Sequence, residues 1–169
     1  MVILGIDPGL ITVGYGVIVA SGQLELLEAG VIHGGSQQDP LEKRLLAIYE
    51  GVSGVMAEHH PQALALEELY SHYKHPVTAV LMGHARGTIC LAAAQHGIPI
   101  FSYPATRIKL LLTGSGGAGK GQVQRAVQAR LGLKVLPAPN DVADALAVAI
   151  CHFLVGNQPE PIKTARASK

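Results

Sequence analysis

The chain has 169 residues, 49% of them apolar and 15% charged, with no Trp and a net charge of +1. That composition suits one compact α/β domain with a well-buried sheet. Apolar stretches are broken by Gly, Ala or charge short of a membrane span, and no basic segment precedes the N-terminal apolar run. Neither a membrane segment nor a signal peptide is therefore expected. Cys90 and Cys151 lie in apolar helical contexts and are read as buried free thiols in a reducing cytoplasm. The small net charge hides a segregation. Residues 1–68 carry nine acids and two bases, whereas Leu69 to Asn140 carries eight bases and no acid. A basic surface for a polyanion follows, with ordinary solvated helix faces as the alternative.

In chain order, Val2 to Gly9 (V-I-L-G-I-D-P-G) is a buried strand closed by a Pro-Gly turn. Its single carboxylate, Asp7, either caps the turn or needs a cation, because a buried charge demands a partner. Thr12–Ala20 and Leu24–His33 form two further strands joined through Ser21-Gly22, giving an antiparallel meander. Gly14 and Gly16 inside the second strand signal close backbone approach or a bulge. Leu41–His59 has a helical apolar period and stops before Pro61. Ala63–Leu66 is a short strand that delivers a second carboxylate, Glu67.

A loop containing His72, Tyr73, Lys74 and His75 precedes a long helix, Val77–His96. Gly83 and Gly87 share one face of that helix, which packs either on the sheet or against a second chain. Ile98–Tyr103 is a fifth strand, Pro104 opens a short helix to Leu112, and residues 113–121 form a glycine-rich loop. A helix over Gln122–Leu131 follows. The last helix begins at Asn140, read as its N-cap, and runs to about Val155 with an acidic first turn suited to the helix dipole. Residues 1–156 are thus expected as one domain and 157–169 as a flexible tail. The class is α/β, a five-stranded mixed sheet of three antiparallel strands and two more, flanked by helices.

Four carboxylates stand out by position. Asp7 and Glu67 end buried strands, while Asp141 and Asp144 share one face of the last helix at a spacing of three. If the first and fourth strands are neighbours under that helix, all four converge. Their mutual repulsion is then relieved by hard divalent cations, magnesium or manganese. Two such ions about 4 Å apart clamp the attacking and leaving oxygens of a phosphodiester. Helix-dipole compensation and a solvent-facing strand end are the alternatives for the helix pair and Glu67.

The stretch Gly114 to Gly121 has P-loop spacing, but Gly121 stands where Ser or Thr binds magnesium, and a helix precedes the loop instead of a strand. Lys120 is better read as meeting a nucleic-acid phosphate. The eight histidines make no zinc-like pair with cysteine, and no serine elbow is present.

These residues, with I-L-G-I-D-P-G, G-Y-G-V-I, A-L-E-E-L-Y, G-H-A-R-G, the G-x-G-x-A-x-K loop and D-V-A-D-A-L-A-V-A-I in order, resemble the RuvC-type Holliday-junction resolvases of the ribonuclease H-like superfamily. The likeness covers nearly the whole chain. It implies a catalytic, metal-holding tetrad of Asp7, Glu67, Asp141 and Asp144, magnesium dependence, and a cytoplasmic homodimer. It further implies paired nicks across a four-way DNA junction that leave 5′-phosphate and 3′-hydroxyl ends, alongside a branch-migration helicase complex. Tyr70 matches an aromatic position that stacks on unpaired bases. Lys109 and Lys120 match basic positions near the scissile phosphate, and Lys74 and Arg86 complete the expected DNA contacts. Val13 departs from a usual Thr, and Gly121 from a usual polar residue. The alternatives are a related nuclease acting on RNA or RNA–DNA hybrid, an actin-type ATP-binding domain, and a binding-only architectural protein.

Overall fold

The computed structural model describes residues 1–68 and 76–156. Strands β1 (Val2–Asp7), β2 (Thr12–Ala20) and β3 (Leu24–His33) precede helix α1 (Leu41–His59) and β4 (Ala63–Glu67). Helix α2 (Pro76–Gln95), β5 (Ile100–Tyr103), α3 (Ala105–Thr113), α4 (Lys120–Leu131) and α5 (Asn140–Val155) complete the order. The sheet runs β3-β2-β1-β4-β5, antiparallel across the meander and parallel from β1 through β4 to β5. This is the mixed five-stranded sheet expected from the sequence. The element boundaries shift slightly. Pro99 lacks an N–H and gives only its carbonyl to Leu64 N, so β5 starts at Ile100. Helix α4 starts two residues early because the Gln122 side chain accepts the Gly119 N–H at 2.8 Å.

Alternation along β1 and β4 divides the core. Leu4, Ile6, Leu64 and Leu66 face α1 and α2, while Ile3 and Ala65 face α3, α4 and α5. With a period of two, Gly5, Asp7 and Glu67 also belong to the α5 side. Helix α5 is buried nearly throughout and lies across β1, β2 and β4. It lies so close that a methyl group at Gly5 would collide with the Ala145 carbonyl, and one at Gly14 with the Asp141 carbonyl. Gly16 likewise faces the Leu146 side chain. The glycines of β2 therefore mark close approach, and a register shift falls nearby, at Val17/Ile18 of β2 against β3.

Two expectations are corrected, and one reading left open is narrowed. Asn140 is not the N-cap of α5: Pro139 holds that place, and Asn140 Oδ1 accepts from Gln124 Nε2 of α4 at 3.0 Å. Gly83 and Gly87 do not pack on the sheet, since a methyl group at either would meet nothing within 4 Å. Finally, Val77–Gln95 is long and apolar enough by length and composition to cross a membrane. Its Ala85, Ile89, Ala92 and Ala93 nevertheless pack into the core with α1, which makes it a helix of this domain. Cys90 is half-buried, Cys151 is buried, and both are free.

Candidate active site

The parallel register Ile6↔Leu66 brings the C-terminal ends of β1 and β4 side by side, and Asp7 and Glu67 are the next residues of each strand. The glycine seat lets α5 set its first turn over the same edge. The other three carboxylates then all act on Asp7, and Asp144 also acts on Glu67. Burial, followed by the charges of Asp144, Glu67 and Asp141, pushes the Asp7 carboxyl up to about 7, with Lys120 opposing. Glu67 is raised by burial and by Asp144 against Lys109. Asp144 is raised by burial, Lys120 and Lys109 opposing and Asp141 adding. Thr12 Oγ1 donates to Asp141 Oδ2 at 2.9 Å, fixing one acid from the start of β2.

A cavity of about 190 Å³ is lined by Glu67, Asp144, Lys109 and Lys120, with Ile108 and Val123 among its apolar wall. The two lysines come from α3 and the first position of α4, so the glycine-rich stretch delivers Lys120 toward the acids instead of forming a phosphate loop after a strand. An all-oxygen donor set left with excess negative charge fits hard divalent cations.

Arg86 has a structural role beside the DNA contact expected of it. It is half-buried, and its guanidinium donates to the Glu67 carbonyl and to Ser102 Oγ, both at 2.6 Å. It therefore ties α2 to the ends of β4 and β5, a positioning role behind Glu67. Tyr70 and Lys74 lie outside the described residues. Val13 is fully buried on the α1 side of the core, so the missing Thr hydroxyl there would have faced apolar neighbours. The sequence does not mark Thr12, because a single hydroxyl carries no periodic signal.

Elsewhere, Glu28, Glu58 and His59 present ligand atoms within 4.8 Å of one another. His59 Nε2 lies 2.6 Å from Glu28 Oε2, and the Tyr15 hydroxyl donates to the same glutamate. The Glu28–His59 pair holds the end of α1 to β3.

Paired strand-end acids plus an acidic helix turn on this sheet define a metal-dependent nuclease of ribonuclease H-like fold. The family model of the crossover junction endodeoxyribonuclease RuvC matches residues 3–152, and the chain belongs to that family. It is 52% identical over 158 residues to the enzyme of that name from Rhodopirellula baltica, covering 93% of this chain and 88% of the relative. The Moorella thermoacetica enzyme is 47% identical over 153 residues, covering 90% of each. Thermus thermophilus RuvC, solved in complex with a Holliday junction substrate, superposes with a TM-score of 0.87 at 36% identity, over 92% of this chain and 94% of that one. The yeast mitochondrial resolvase Ydc2 shares the fold alone, at 10% identity and a TM-score of 0.59 over 88% of this chain and 77% of its own.

Proposed function

We propose that this chain resolves four-way DNA junctions, cutting two strands symmetrically as a homodimer and leaving 5′-phosphate and 3′-hydroxyl ends. The observation that carries this reading is the convergence of Asp7, Glu67, Asp141 and Asp144 beside Lys109 and Lys120. These four acids would hold two magnesium ions, with manganese able to substitute. Bound there, the metal supplies the Lewis-acid charge that activates water and stabilises the leaving oxygen.

The chain's own residues prepare that site. Thr12 fixes the orientation of Asp141, and Arg86 anchors the strand end that carries Glu67. Lys109 and Lys120 attract the phosphate and moderate the repulsion among the acids. Tyr70 stacks on an unpaired base, and Lys74 adds a phosphate contact. The open glycine face of α2 suits a second copy, which would set two sites for symmetric cuts. Residues 1–156 act as one nuclease domain, with 157–169 as a tail, in the cytoplasm and alongside a branch-migration helicase. The junction carried by the Thermus relative favours this substrate over RNA or hybrid.

The test offers a synthetic four-way junction, a linear duplex and an RNA–DNA hybrid, with and without magnesium. Paired cuts in the junction alone, only with metal, are expected. Asp7→Asn is expected to abolish cutting while keeping junction binding. Cleavage of the hybrid but not the junction would overturn the reading.

A further inference from the structure

The turn between β1 and β2 borders a second concavity. A cavity of about 520 Å³ is lined by Gly9, Thr12, Gln37, Arg44, Thr78 and Met82, among others. Arg44 is only 8% exposed, and its Nε has no hydrogen-bond partner. No ion pair to a carboxylate forms at Arg44 among the described residues, where the one pair within 4 Å is His59–Glu28. Asp39 feels its charge, yet Asp39 Oδ2 accepts the Ser36 N–H at 2.6 Å.

A guanidinium does not shed its proton, so burial leaves a fixed positive charge that an outside anion would neutralise. Beside the apolar Leu10, Ile11, Leu81 and Met82, the polar part of the lining agrees with an anion. Thr78 and Gln37 bring donors, and Gly9 adds no side chain. Thr78 belongs to the first turn of α2, a positive helix end with no acid in it. Arginine's planar fork matches two oxygens of a phosphate. Location then selects the source. Thr12 lines this cavity and gives its hydroxyl to Asp141 of the carboxylate cluster. A DNA strand at the acids would thus pass close to this cavity.

We infer that the Arg44 cavity is a second phosphate site, gripping a backbone phosphate of the cut strand next to the scissile one. This rests on the junction-nuclease reading. It makes Arg44 a residue that sets the register of the strand over the acids.

The experiment measures metal-free binding of a labelled four-way junction across a salt series, for the wild type, Arg44→Gln, Arg44→Met and Arg44→Lys. Gln and Met are expected to weaken binding roughly tenfold near 0.1 M salt and to lower the log–log salt slope by about one per subunit. Lys keeps the charge without the fork, so the slope stays while affinity falls. Met keeps the stem and removes the buried charge, so its Tm is expected not to drop. An unchanged slope in folded Gln and Met variants would overturn the inference and leave Arg44 a packing residue. A wild type that does not bind the junction would instead sink the functional reading itself.

Discussion

A carboxyl raised to about 7 makes Asp7 the residue where stability, metal and pH meet. Its ordinary value is 3.8, and burial plus three neighbouring acids raise it. For a group whose folded value lies above its unfolded one, the stabilising contribution is complete below about pH 4. That contribution is lost as pH rises through about 7, because the unfolded chain releases its proton first. Metal-free protein is therefore expected to lose stability between pH 4 and 7, by on the order of a few kcal/mol from this group. Magnesium binds the ionised form and is expected to restore Tm above pH 7, by mass action. In Asp7→Asn the pH slope flattens and the magnesium gain shrinks. Thermal melts in chelator and in magnesium at several pH values check this. A wild-type slope no steeper than that of Asp7→Asn would remove Asp7 from the metal cluster.

Among elements, α5 matters most, because the site exists only where its first turn overlies the β1 and β4 ends. Gly5 and Gly14 set that distance. Gly5→Ala would drive a methyl into the Ala145 carbonyl. It is expected to destabilise the fold by roughly 1–3 kcal/mol and to slow cutting as Asp141 and Asp144 move away. Gly54, mid-way along α1 with nothing within 4 Å of an added methyl, is the matched control. Gly54→Ala is expected to stabilise by up to about 1 kcal/mol without touching activity. Chemical denaturation of both variants checks the pair. The same contrast explains what the sequence made legible. Apolar periods of two and 3.6, ended by Pro and Gly, located all ten elements, and strand-end acids pointed to the carboxylates that the fold brings together. Three other features depend on partners distant in the chain and leave no local pattern. Arg86 turns inward because α2 happens to cross the Glu67 carbonyl. Asn140 is drawn to Gln124 of another helix, and Thr12 meets an acid 129 residues away.

For the whole molecule, the outer side of α2 is the open question of assembly. Val80, Gly83, Gly87 and Leu91 follow one another at spacings of three and four, so they form one stripe. Val80 is 60% and Leu91 56% exposed, and both glycines face open space. Glycines in a helix interior cost stability unless something approaches their bare backbone. Nothing among the described residues does, so in the proposed homodimer a second α2 related by twofold symmetry would use them. An isologous contact of that kind places two carboxylate clusters in fixed relation, which paired cutting of a symmetric junction requires. Gly87→Leu fills the approach and is expected to shift the protein to monomer in light scattering, and to replace paired cuts by uncoupled single nicks. Gly87→Ala, a smaller intrusion, is expected to weaken the dimer less. The leucine variant should keep its fold, because no atom of its own chain is displaced. A Gly87→Leu protein that stays dimeric and still cuts in pairs would clear this face of any role in assembly.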